Sequence, residues 1–188
     1  MKLVILDRDG VINRDSANFI KSPSEWIALP GSLDAIALLN QSGYRVAVAT
    51  NQSGISRGLF DMATLNSIHE KMNRELAVVG GRIDAVFYCP HAADDHCRCR
   101  KPDVAMVEDI AKRFAVEMQG VPAVGDALRD LQAFAAQGCQ PILVLSGKGE
   151  ATLAASKQSA DQALPANTWV CADLAEAAQR IIATAHSG

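Results

Sequence analysis

The chain has 188 residues, 49% apolar and 21% charged, with a formal net charge of -3. That is enough for one hydrophobic core, and one domain spanning residues 1–188 is expected. No block of Lys or Arg gives the footprint of a nucleic-acid binder, and no apolar run approaches the roughly 18 residues needed to cross a bilayer.

The opening MKLVILDRDG is charged by residue 7 and too short for a secretory leader. Five cysteines, three of them packed together, do not make a secreted disulfide framework. A soluble, cytoplasmic protein is expected, and with no extended interface signalled, a monomer.

KLVIL (2–6) reads as the first strand. Residues 11–29, VINRDSANFIKSPSEWIAL, form the one long irregular stretch early in the chain, so any lid is small. PGSLDAIALLNQSG has helical spacing and stops on Gly43, a good helix terminator. YRVAVAT (44–50) is the second strand. In DMATLNSIHEKMNRELAVVG, Leu65, Ile68, Met72, Leu76 and Val79 recur every three or four residues, with Asp61 placed to cap the start. IDAVFY (83–88) is the third strand, and PDVAMVEDIAKRF carries Val104, Val107, Ile110 and Phe114 at helical spacing. PAVG (122–125), PILVLS (141–146) and NTWVCA (167–172) complete six strands. Strands alternating with helices imply parallel strands covered on both faces, hence one doubly wound α/β sheet.

In such a sheet ligands sit beyond the carboxyl ends of the strands, so the residues at those ends matter most. The first strand delivers DRDG. Asp7 and Asp9 are two apart and point the same way in extended backbone, with Arg8 directed elsewhere. Two like charges held together need a cation or a shared proton. The second strand delivers Thr50 and the turn-rich NQSG, the segment after the third delivers Arg100 and Lys101, and the fourth delivers Asp126 with Asp130 one turn on.

Each residue has a plain alternative. Thr50 ends a strand and Asp126 caps a helix; their joint occurrence at four strand ends is what argues for a site. For Asp130 a helix-face salt bridge serves equally well.

Acids suit Mg²⁺, while Thr50 and Lys101 suit phosphoryl oxygens. No GxxxxGK[ST] or GxGxxG loop for cradling a nucleotide is present. The chemistry expected is attack by Asp7 on phosphorus, with Asp9 protonating the leaving oxygen and then deprotonating water.

ILDRDGVIN, VATNQSGISRG, CRCRKP and VGDALRDLQA, in order along nearly the whole chain, resemble the haloacid dehalogenase superfamily of aspartate-nucleophile phosphatases. More narrowly they are similar to the D-glycero-D-manno-heptose 1,7-bisphosphate 7-phosphatases of nucleotide-activated heptose and lipopolysaccharide-core synthesis. The resemblance implies Asp7 as nucleophile and Asp9 as proton donor. It implies Mg²⁺ bound by Asp7, the Asp9 backbone carbonyl and Asp126, and Thr50 and Lys101 on the phosphoryl group.

Substrate contacts implied are Arg100, the segment Asp15, Ser16, Ala17, Asn18, and the loop Asn51, Gln52, Ser53. Arg57 adds a contact for a phosphate or hydroxyl. Where some relatives carry a substrate-touching lysine after the fourth-motif aspartate, this chain has Ala127. Histidinol-phosphate phosphatase is the alternative substrate reading. A zinc-stabilised binding module without catalysis is the alternative of another class, and it would show as loss of one of the five central residues.

Three cysteines and two histidines occupy residues 89–99. Cys89, His91, Cys97 and Cys99 make a Cys₃His set, the composition of a closed structural zinc site with no open position for water. His96 is the competing ligand; C-x-H spacing and the resemblance favour His91. Zinc is then a clamp beside Arg100 and Lys101, not the seat of the chemistry. Cys139 and Cys171 read as core thiols, His69 as a surface residue and His186 as part of a mobile tail. Trp26 packs on the sheet or borders substrate, two readings the residues alone leave open.

Overall fold

The first strand, β1 (Lys2–Leu6), has no polar side chain after Lys2, so both of its faces need cover. The computed structural model, which describes residues 1–185, supplies it; His186 lies outside the described residues. Val4 and Leu6 point into one hydrophobic cluster and Leu3 and Ile5 into another, as a period of two requires.

Around β1 lie β2 (Tyr44–Asn51), β3 (Ala85–Cys89), β4 (Pro122–Gly125), β5 (Gln140–Val144) and β6 (Trp169–Cys171), all parallel in the order β3-β2-β1-β4-β5-β6. The doubly wound parallel sheet expected from the alternation is thus what forms. The chain runs outward from β1 on one side and returns to the other with β4, so the switch point lies between β1 and β4. That crevice is where such sheets bind ligands.

Helices α1 (Ser32–Gln41), α2 (Met62–Val78) and α6 (Leu174–Ala185) cover the face of Val4 and Leu6, and α3 (Ala105–Phe114) and α4 (Leu128–Ala136) the other. Asp61 caps α2, its carboxylate accepting from Thr64 N at 2.8 Å. On α3 the buried set is Met106, Val107, Ile110 and Phe114, with Val104 left at the helix cap. The remaining helix, α5 (Gly149–Gln158), buries only Gly149. Residues 159–163, which run from it toward β6, are exposed at the edge of the sheet opposite the strands' carboxyl ends.

The irregular stretch 11–29 is fastened down. Val11, Ile12, Ile20 and Trp26 are buried in the main cluster. Ser32 Oγ donates to Ile12 O, and Lys71 Nζ donates to Pro23 O and Trp26 O. Trp26, fully buried, is therefore a core residue, not a border of the site.

Candidate active site

β1 ends at Leu6, and the chain turns over Gly10, whose φ of +82° is open to glycine at little cost. A Cβ there would overlap the Asp126 carboxylate, so the first and fourth strand ends approach as closely as they do because residue 10 is glycine. Asp7 and Asp126 are buried at this junction, and the oxygens of Asp7, Asp126 and Asp130 lie within 4.8 Å of one another. Lys101, 1% exposed, is inserted among them. Its Nζ lies 3.0 Å from Asp7 Oδ1 and 2.8 Å from Asp130 Oδ1, and donates to Ala49 O at 2.7 Å.

Asp130 is therefore a buried partner of Lys101, not one half of a surface pair. Burial opposes its charge, but Lys101 and then Arg129 hold it below the usual carboxylate range. Burial, followed by the charge of Asp130, pushes Asp7 well above that range against the pull of Lys101. Asp126 is pushed up to about 7 by burial and by Asp130. Three buried acids against one lysine leave a deficit of positive charge. With all-oxygen donors at this spacing, the cluster fits a hard divalent cation such as Mg²⁺.

Asp9 is differently placed. Its Oδ1 accepts from Arg8 Nε (3.0 Å), Arg8 Nη2 (2.9 Å) and Asn13 Nδ2 (2.9 Å), and its Oδ2 from Arg8 Nη2 (3.1 Å) and Gln52 Nε2 (2.9 Å). Burial alone would raise it; the Arg8 charge and these hydrogen bonds override burial and hold it below the usual range. Arg8 does not point away from the acids, as strand alternation suggests. The strand has ended by residue 8, and the guanidinium folds back on its neighbour.

Other elements lock these side chains. Gln52 Nε2 also donates to Thr50 Oγ1 at 2.8 Å. Asn51 exchanges two hydrogen bonds of 3.1 Å with the backbone of Lys101, fixing the lysine from the β2 side. The cysteine loop is tied to the same place: Gln52 N donates to Cys89 O, Ser56 N to Pro90 O, and Arg100 Nη1 to His91 O.

A cavity of about 280 Å³ opens over Asp7. Among the expected residues its wall includes Asp7, Asp9, Thr50, Lys101 and Asp126; the loop Asn51, Gln52, Ser53; Asp15, Ser16 and Ala17; and Arg57 and Arg100. Asn18 is not brought to it; that residue faces the outer side of the segment, where its backbone N–H caps Ser16 Oγ. Phe19, Ile20, Arg129, Asp130 and Lys148 also line the cavity. Lys148 pairs with Asp15 at 3.3 Å and its backbone N–H donates to Asp126. It stands in SGKG just beyond β5, so its place at the fifth strand end is the signal that points to it.

In the cysteine loop, Cys89, His91, Cys97 and Cys99 form one group of potential ligands; among the described residues His96 is not part of it. Sulfur–sulfur distances are 3.1, 3.5 and 3.6 Å, and His91 Nδ1 lies 3.3 and 3.6 Å from Cys99 and Cys89 Sγ. Zn–S and Zn–N bonds of about 2.3 and 2.0 Å at tetrahedral angles require separations of roughly 3.8 and 3.5 Å. The loop could hold zinc with small adjustments.

A parallel sheet with acids at its central strand ends, a buried lysine and a hydroxyl around one cavity defines a phosphoryl-transfer hydrolase of the haloacid dehalogenase type. A HAD-hydrolase-like family model matches residues 98–177. Curated relatives named D-glycero-beta-D-manno-heptose-1,7-bisphosphate 7-phosphatase include one from Bordetella bronchiseptica, 59% identical over 97% of this chain and 98% of its own. Another, from Neisseria meningitidis, is 50% identical over 97% and 95%. Among solved structures, the D,D-heptose 1,7-bisphosphate phosphatase of B. bronchiseptica, complexed with magnesium and phosphate, superposes with a TM-score of 0.93 at 59% identity, covering 98% of this chain and 99% of that one. The Burkholderia thailandensis phosphatase gives 0.76 at 53% identity over 97% and 99%. The chain belongs to the heptose 1,7-bisphosphate 7-phosphatase family.

Proposed function

We propose that the protein is a Mg²⁺-dependent phosphatase that removes the C7 phosphate of D-glycero-D-manno-heptose 1,7-bisphosphate through an aspartyl phosphate. The observation that carries the reading is the Asp7 carboxylate held beside Lys101 on the cavity wall, with Thr50 and Asp126 around it. Asp7 Oδ forms a bond to phosphorus as the bond to the sugar oxygen breaks, and the Asp9 carboxyl gives that oxygen its proton. The heptose 1-phosphate leaves. The Asp9 carboxylate then takes a proton from a water that attacks phosphorus, and the acyl-phosphate bond breaks to give inorganic phosphate and free Asp7.

Lys101 and Thr50 bind the phosphoryl oxygens throughout. Mg²⁺ would be held by Asp7, the Asp9 carbonyl and Asp126, and would supply the positive charge that offsets repulsion between the carboxylate and the phosphate. Arg57, Arg100, Arg129 and Lys148 on the cavity wall offer cations beyond Lys101 for a substrate with a second phosphate, with Asp15, Ser16 and Ala17 closing one side. Zinc would be held by Cys89, His91, Cys97 and Cys99 and would fix the segment from which Arg100 and Lys101 emerge. Residues 1–188 act as a single domain and, by this reading, as a cytoplasmic monomer meeting small molecules only. In support, no described helix is long and apolar enough to cross a membrane.

The test is phosphate release from both anomers of the heptose bisphosphate and from histidinol phosphate, with and without Mg²⁺. Faster turnover of histidinol phosphate would overturn the substrate. Asp7→Asn should abolish turnover and trapping of labelled phosphate on the protein; activity surviving it would refute the covalent route.

A further inference from the structure

Arg8 stands between the two motif acids yet is completely buried and does not line the cavity, so it does not touch substrate. Two of its nitrogens face Asp9; the third, Nη1, lies 3.1 Å from His69 Nε2. A guanidinium has donors only, so the histidine nitrogen must accept, which makes the ring neutral with its proton on Nδ1. His69 is carried by α2, whose buried residues Leu65, Ile68 and Met72 fix the helix against the sheet. The imidazole thus braces the Arg8 guanidinium against the end of β1.

On the other side, Asp9 receives five hydrogen bonds, three on Oδ1 and two on Oδ2. Two carboxylate oxygens offer about four lone pairs, so neither has room to carry a proton into the cavity in this position. A carboxyl that donates to a leaving group must turn off Arg8. Gln52 marks the route, because its Nε2 bridges Asp9 Oδ2 and Thr50 Oγ1, and Thr50 is on the cavity wall.

We propose that Arg8, braced by His69, is the resting station of the Asp9 carboxylate, and that His69 is a positioning residue for acid catalysis because it keeps Arg8 in place when Asp9 turns toward substrate. The inference rests on Asp9 being the proton donor. His69 contacts no reacting atom; it acts through Arg8 alone. Without it the guanidinium is free to follow the carboxylate and hold it as an anion at the point where a proton is needed.

A poor leaving group needs the acid and a good one does not, so leaving-group dependence reads the device directly. With the Mg²⁺-loaded enzyme, kcat/KM is measured for the heptose bisphosphate and for p-nitrophenyl phosphate in wild type, Asp9→Asn, His69→Leu and His69→Gln. Asp9→Asn sets the full effect on the ratio of sugar to aryl substrate. His69→Leu should lower that ratio about tenfold, a fraction of the roughly 10²–10⁴ that a general acid supplies. His69→Gln, which keeps an acceptor for Arg8, should return it to within about threefold of wild type. If His69→Leu does not fold, His69→Met against His69→Gln makes the same comparison.

A normal ratio in the Leu and Met variants beside a depressed one in Asp9→Asn overturns the inference and leaves the proton donor standing. Equal loss on both substrates, tracking a lower Tm, also overturns it, since packing alone would do that. An unchanged ratio in Asp9→Asn removes Asp9 as the acid and takes the inference with it.

Discussion

Replacing Lys101 by Met removes the one cation inserted among three buried acids while keeping most of the side-chain volume. Asp130, fully buried, would lose a partner 2.8 Å away, and Asp7 one at 3.0 Å. Breaking a buried ion pair by deleting one partner costs about 3–5 kcal/mol. A second route gives a similar figure. The cheapest escape is for Asp130 to take up a proton, which at pH 7, starting from an ordinary carboxylate near 3.8, costs about 1.36 × 3.2, or roughly 4 kcal/mol.

For a chain of this size roughly 4 kcal/mol corresponds to a fall in Tm of about 8–16 °C. The pH dependence has a definite sign. In wild type the depressed Asp130 contributes stability above its unfolded value, lost as pH falls. In the variant a neutral Asp130 costs least in acid, so the deficit should shrink to roughly 2 kcal/mol at pH 5. Urea unfolding at pH 7 and 5 measures both. The double variant Lys101→Met/Asp130→Asn should recover more than half of the loss, because no uncompensated charge is left. A single variant within about 1 kcal/mol of wild type at pH 7, or a double variant worse than the single, would refute the buried-pair reasoning.

Three further outcomes follow from the same geometry. Gly10→Ala places a side chain against the Asp126 carboxylate at a φ of +82°. The backbone strain costs about 1–2 kcal/mol, and the displaced acid should weaken Mg²⁺ binding, measured by calorimetry, about tenfold or more. Cys99→Ser, or verified removal of zinc, should increase hydrogen exchange across residues 89–101 and cut kcat/KM about 10–100-fold while leaving the far-UV spectrum near native; full activity in zinc-free protein would count against the clamp. Finally, burial and then the Arg8 charge push His69 down to about 4. A histidine depressed in the folded state favours unfolding as the unfolded chain protonates. Wild type should therefore lose up to about 3 kcal/mol relative to His69→Gln as pH falls from 6.5 to 4, with no further change below that. A pH-independent difference between the two proteins would mean that the imidazole is not held neutral.

What could be read without coordinates was whatever local rules decide. β1 runs from Lys2 to Leu6 and β4 from Pro122 to Gly125, as their apolar runs indicate, and Asp61 caps α2 because an N-cap is a local event. Asp7, Thr50 and Asp126 are legible because each stands at or just past a strand end, and strand ends in a parallel sheet share one edge; Lys101 follows in the loop after the third strand. The misjudged residues depend on tertiary approach. His69 looked like a surface residue from its helix alone; its partner lies 61 residues earlier. Arg8 was misdirected by extending strand geometry past Leu6. Asp130 is ambiguous in the sequence because a helix position cannot tell solvent from Lys101, and Asn18 belongs to a segment whose backbone turns it outward.

Residues 159–163 are exposed, lie at the amino edge of the sheet and form no part of the cavity wall. No acid, cation or thiol of the site depends on the path of the chain there. That connection is accordingly where foreign sequence, such as an affinity handle or an inserted reporter domain, can be spliced into the enzyme with the catalytic edge left undisturbed.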